Sequence, residues 1–210
     1  MTNASEAKQK PLQAKGKGVK GEAMRLRLLG AARLHFLKDG FAGASIHHIA
    51  QAAGVHKSHV YHYFPHKEAL WLAVKQQILE EVLGVLTPPH FPDESVEQFV
   101  RAFVRYRFHV YAQSPDLVRM LSWQRLEPDH LHLKSPREMI EGNARACLDA
   151  LKSKGLLYEK MEIDQALVLL LHLPPSLFLD AADPTHHTQK QREAFESLLV
   201  RCLTRGLGVG

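Results

Sequence analysis

Apolar residues recur along this chain at three- and four-residue spacings, and from about Glu22 onward no segment shows a convincing strand-like alternation. The spacing predicts helix after helix. A first runs from about Glu22 to Lys38, with Leu28, Ala31, Ala32 and Phe36 on its apolar arc and His35 buried among them. A second begins after Ser45, a third spans about Lys57 to Phe64, and a fourth runs from Lys67 to about Leu86, stopped by Pro88-Pro89. Beyond that joint, helices are expected near 94–113, 115–126, 136–154, 162–180 and 188–205, punctuated by Ser114-Pro115, Ser135-Pro136, Gly155 and Asp183-Pro184. Pro174-Pro175 falls inside the penultimate helix and should kink or break it. The fold class is all-α, with an N-terminal three-helix domain at 22–70 and a C-terminal helical domain at 71–210. Residues 1–21, rich in Lys and Gly with no apolar period, read as a disordered basic arm.

The second and third helices form a helix-turn-helix pattern. Ser45 stands where its hydroxyl can cap the second helix, and Ile46, Ile49, Ala50 and Ala53 make one buried face. Ala50 is small where two helices must cross closely, and Gly54 fits a left-handed turn. On the third helix Val60 and Phe64 face inward, while Ser58, His59 and His62 face outward between Tyr61 and Tyr63. A short polar strip flanked by hydroxyl-bearing aromatics suits base edges in a major groove, with phosphates on either side. Lys57 opens this helix. Lys67 opens the next, where its charge and the helix N-terminal amides could clamp a phosphate. The candidate DNA contacts are therefore Ser45, Lys57, Ser58, His59, Tyr61, His62, Tyr63 and Lys67.

This stretch resembles the DNA-binding domain of the TetR family of bacterial transcriptional regulators. The family's pattern stands as Ala31-Ala32, Phe36, Gly40-Phe41, Ser45-Ile46, Ile49-Ala50, Ala53-Gly54-Val55, Val60-Tyr61, Tyr63-Phe64 and Lys67-Glu68, without a gap across about residues 24 to 71. The departures are mostly histidines: His56 for the usual Ser or Thr cap, His48 where an acid is common, and His35 for an apolar residue. A weaker resemblance covers Pro115-x-x-x-Arg119-x-x-x-Trp123, with Gln124 where an acid commonly follows. The resemblance implies a homodimeric repressor released from a double-stranded DNA operator by a small-molecule effector. It further implies two states, one of which holds paired recognition helices about one helical turn apart. A constitutive DNA-binding or architectural protein, whose C-terminal domain only dimerises, is the main rival. It predicts a filled C-terminal core.

Charge sharpens this picture. Residues 1–90 hold twelve Lys/Arg against six Asp/Glu, and residues 91–210 hold fifteen against sixteen, so the positive excess lies in the half carrying the helix-turn-helix. Two cysteines make no disulfide framework, and a reducing cytoplasm is the expected setting, with no membrane partner. Cys147 and Cys202 read as small core or interface hydrophobes. Gly16-Lys17-Gly18-Val19-Lys20-Gly21 matches a dinucleotide fingerprint in form, yet no strand precedes it, and no enzyme motif stands elsewhere. Fourteen histidines invite a metal, but Pro65 sits between His62 and His66 and spoils their helical spacing. No metal or cofactor is expected.

In the C-terminal region Arg107 falls inside an aromatic arc with Phe103, Tyr106 and Tyr111. It either binds an acidic, mostly apolar effector or pairs internally with a carboxylate such as Glu127, and the internal pair is favoured. Trp123, Asn143 and His172 are further candidate cavity residues, although core packing suits each of them better. The leucine-rich last two helices expose more apolar surface than one small domain can cover, which predicts a homodimer through them.

Overall fold

The computed structural model describes residues 18–85, 90–132, 135–179 and 187–209. The basic arm therefore lies outside the described residues up to position 17. Among the described residues ten helices run in chain order: α1 Val19–Gly43, α2 Ile46–Ala52, α3 Lys57–Tyr63, α4 Lys67–Val85, α5 Val96–Gln113, α6 Pro115–Gln124, α7 Ser135–Ser153, α8 Ile163–His172, α9 Ser176–Leu179 and α10 Gln189–Leu207. A 3-10 turn at Asp129–Leu131 precedes α7. The chain divides into two compact units at Ala73/Val74, a boundary that falls within α4.

In the first unit, Leu28, Leu29, Ala32 and Phe36 of α1 are buried, as are Ile49, Ala50, Val60 and Leu70. Phe36 and Trp71 pack with ring centres 4.8 Å apart. The α1 helix starts three residues earlier than its pattern suggested and continues past Lys38, broken at Gly40, whose φ of 69° is a left-handed value that suits glycine. Gly54 also takes a positive φ, 66°, and turns the chain between α2 and α3. Arg27 seals that turn by donating to the Ala53 carbonyl at 2.6 Å. His35 is half-buried, not enclosed, and its Nδ1 lies 3.8 Å from Asp39. The reason is its place at the edge of the buried stripe, beside exposed Leu34.

The second unit is built on α5. Its N-terminus is capped by the Ser95 hydroxyl, which accepts from the Gln98 amide, and α6 begins the same way with Ser114 ahead of Pro115. Phe91, Phe99 and Phe103 form one aromatic cluster; Phe108, Tyr111 and Phe178 form another. Helix α10 packs along α5 and opens with a capping box, Thr188 with Gln191. The proline pair does break the penultimate helix, giving α8 and the short α9. Leu157 and Gly208 form an isolated antiparallel bridge that ties the end of α10 to the loop after α7. Cys147 is buried, its Sγ against the Phe91 carbonyl at 3.3 Å, and burial pushes its thiol up. Cys202 is exposed and so is not a core residue.

One charged side chain, Lys75, is fully buried among the described residues. Its ammonium donates to Glu127 at 2.5 Å, to the Leu131 carbonyl at 2.7 Å and to Gln124 Oε1 at 3.4 Å. Burial pulls Lys75 below the ordinary lysine range, while the hydrogen bond and charge of Glu127 oppose that shift. The pair ties α4 to the segment after α6. Lys75→Met alone strands the Glu127 charge and should cost about 3–5 kcal/mol in urea unfolding. Lys75→Met with Glu127→Leu should recover most of that loss. A double variant as unstable as the single one would show that the site needs the ion pair and not merely its neutrality.

Candidate nucleic-acid interface and effector cavity

Helix α3 is seven residues long, and its two faces separate cleanly. Val60 is buried at one face and Phe64, just past its end, is buried too. Lys57, Ser58, His59, Tyr61 and His62 are exposed, and Tyr63 is half-buried. The Lys57 ammonium lies 5.8 Å from the centre of the Tyr61 ring, and His62 meets Tyr63 edge to face at 5.3 Å. The outward strip expected from the sequence is thus presented as one polar surface of the right chemistry for a groove.

The flanks differ in detail from expectation. Ser45 occupies the N-cap of α2, but its hydroxyl makes no capping bond. Its neighbours His47 and His48 are exposed, so water can satisfy those first-turn amides. Lys67 is half-buried, its ammonium over the Phe41 ring at 4.8 Å and donating to the Ala42 carbonyl at 3.3 Å. Desolvation lowers its pKa, opposed by the charge of Glu68. An ammonium carries three donors, so a phosphate can still be met from this anchored position. The Nδ1 of His66 accepts from the Ala69 amide at 3.1 Å, capping the start of α4. No cluster of three potential metal ligands occurs among the described residues.

The second unit holds a cavity of about 220 Å³. Its walls are mostly apolar, from Leu79, Val82 and Leu83 of α4, Val110 of α5, Leu117, Met120 and Leu121 of α6, and Ile140 and Leu171. The polar groups are Tyr106, Arg107, Tyr111, Gln124, Arg125, His132 and His172. Arg107 lies over the Tyr111 ring at 4.7 Å and donates from Nη2 to the Tyr111 hydroxyl. Its Nε is buried with no hydrogen-bond partner among the described residues. Burial pushes both phenols, Tyr106 and Tyr111, above the ordinary tyrosine range, with the positive charge of Arg107 opposing. Both stay neutral at ordinary pH.

Of the seven residues expected to meet a ligand, Tyr106, Arg107, Tyr111 and His172 line this cavity. Phe103 does not; it is fully buried against Phe91 and Phe99. Trp123 is half-buried on α6 outside the lining, and Asn143 is exposed on α7. His172 is exposed at the cavity, not a core histidine, because α8 ends there at the proline break. The favoured internal pair of Arg107 with Glu127 does not form, since Lys75 holds Glu127. Sequence reasoning missed Lys75, whose helical position looks like any solvent-facing lysine. It also missed Arg125 and His132 at the cavity.

The architecture defines a helix-turn-helix protein with a separate helical domain. Residues 28–74 match the family model described as bacterial regulatory proteins, tetR family. The HTH-type transcriptional regulator RutR of Escherichia coli is 30% identical over 127 residues, 60% of this chain and 58% of RutR, so the match spans less than two thirds of that relative. The HTH-type transcriptional repressor NicS of Pseudomonas putida is 27% identical over 171 residues, 77% of this chain and 80% of NicS. A solved bacterial regulatory protein of the tetR family from Rhodococcus superposes with a TM-score of 0.68 at 19% identity, covering 89% of this chain and 98% of that one. The likeness to the tetR family model thus covers the helix-turn-helix segment and the start of α4.

Proposed function

We propose that this protein is a sequence-specific DNA-binding regulator of transcription, a homodimeric repressor that leaves its operator when a small apolar, acidic effector enters the cavity. The observation that carries the reading is the polar strip of Ser58, His59 and His62, held outward by the burial of Val60 and Phe64. The cavity favours ligand release over the purely architectural rival, which needs a filled C-terminal core. Helix α4 supplies the link. Leu79, Val82 and Leu83 line the cavity, and the same continuous helix begins at Lys67 beside the DNA-facing surface. An effector that contacts these side chains better in one α4 position than another shifts the population between two states. Two free thiols fit a reducing cytoplasm. No helix among the described residues is long and apolar enough to cross a membrane.

The dimer is supported by exposed apolar side chains on two helices that touch each other. Val168, Leu169 and Leu173 on or just past α8 are 57%, 37% and 36% exposed, and Leu198 on α10 is 44% exposed. Val168, Leu169 and Leu173 share one helical face, and Leu198 lies four residues before exposed Cys202. A second copy meeting this face would form a four-helix contact.

Two measurements test the reading. In gel-shift titrations over a panel of operator variants, Lys67→Ala or Tyr63→Ala should weaken binding to every sequence alike, because phosphates carry no base code. His62→Ala or Ser58→Ala should instead change the order of preference among operators. Unchanged affinity in Lys67→Ala at moderate salt would remove the phosphate role. In light scattering after gel filtration, Leu169→Glu with Leu198→Glu should convert a dimer to a monomer and weaken operator binding, since two linked half-sites bind far more tightly than one. A dimer that persists would place the contact elsewhere.

A further inference from the structure

We propose that the ligand of the cavity is a small monocarboxylate, its single anionic group held by Arg107 and its body one ring or a short alkyl chain. This rests on the reading above that the cavity receives the effector.

The charge of the lining sets the class. It carries two guanidinium groups, Arg107 and Arg125, and two imidazoles, while no Asp or Glu among the described residues lines it. The Glu127 carboxylate is bound by Lys75. Arg107 faces this largely apolar space with the neutral Tyr111 phenol as a hydrogen-bond partner and a buried Nε that has no partner among the described residues. A cation so placed is costly unless something supplies the opposite charge, and a bound anion does so. The Tyr111 ring beneath the guanidinium holds its plane in place, which presets it for a planar two-oxygen partner.

Charge number and size narrow the class further. Arg125 is exposed, so among the described residues the interior offers one guanidinium, enough for a carboxylate but a poor match for a doubly charged phosphate ester. The volume of about 220 Å³ lies under the roughly 300–1,000 Å³ of pockets that enclose drug-sized ligands, so the body is small. The wall from α4 is apolar, through Leu79, Val82 and Leu83, so the part of the ligand that lies against it is apolar too.

Calorimetric titration of the intact protein with three matched pairs tests the class: benzoate and benzamide, phenylacetate and phenylacetamide, hexanoate and hexanamide. At least one acid should bind at least about tenfold more tightly than its amide, since losing a buried charge pair costs that or more. Arg107→Met should bring that acid down to the affinity of the amide, and Arg107→Lys should restore only part of it, because an ammonium lacks the planar fork. Thermal melting of each variant accompanies the titrations; if Arg107→Met does not fold, the acid-to-amide ratio on the unaltered protein decides alone. Acids and amides that bind alike in every pair, or six compounds that all fail to bind at millimolar concentration, would overturn the proposal. A gel shift with the best acid separates the two readings. An acid that binds without loosening DNA refutes the effector role and leaves the ligand class standing, whereas an amide that binds equally and releases DNA does the reverse.

Discussion

A helix of seven residues is too short to persist in water, and α3 exists only because its inner face is buried. Burying Val60 and Phe64 contributes roughly 1.5–3 kcal/mol for each side chain and, more to the point, allows one rotation of the helix about its axis. Rotating it by one residue would expose Val60 and submerge a histidine. The direction in which Ser58, His59 and His62 point is thus a packing result. Everything proposed about DNA depends on it.

Around that constraint the first unit adds local fixings, each of which satisfies a particular group. Gly54 permits the left-handed turn, Arg27 takes the Ala53 carbonyl, and His66 takes the Ala69 amide. Lys67 is anchored on Phe41 and Ala42, so the phosphate contact proposed for it would cost little ordering. Such preorganisation keeps a small surface specific even where single contacts are weak.

In the second unit the distribution of charge is the deciding feature. Lys75 is fully enclosed, and the Glu127 carboxylate supplies the opposite charge that its burial demands. Arg107 then rests on an aromatic face and lines the cavity. The same ion pair links α4 to the segment after α6, both of which contribute to the cavity wall. Ligand preference and the placement of α4 therefore share one set of buried polar contacts.

The sequence alone determined the helical class, the helix-turn-helix and the residues on its two faces, because these follow from local periodicity and from glycine and proline at turns. Helix limits were legible to within a few residues, and the break at Pro174-Pro175 fully so. The pairing of distant charges was not legible. Glu127 could have gone to Arg107 or to Lys75, fifty-two residues away in the chain, and nothing in the spacing distinguishes them. Nor could spacing tell that Phe103 packs into a ring cluster while Tyr106, three residues on, reaches a cavity. Periodicity says which face of a helix is buried. What buries it, and whether a space is left over, is settled by helices that meet only in the folded chain.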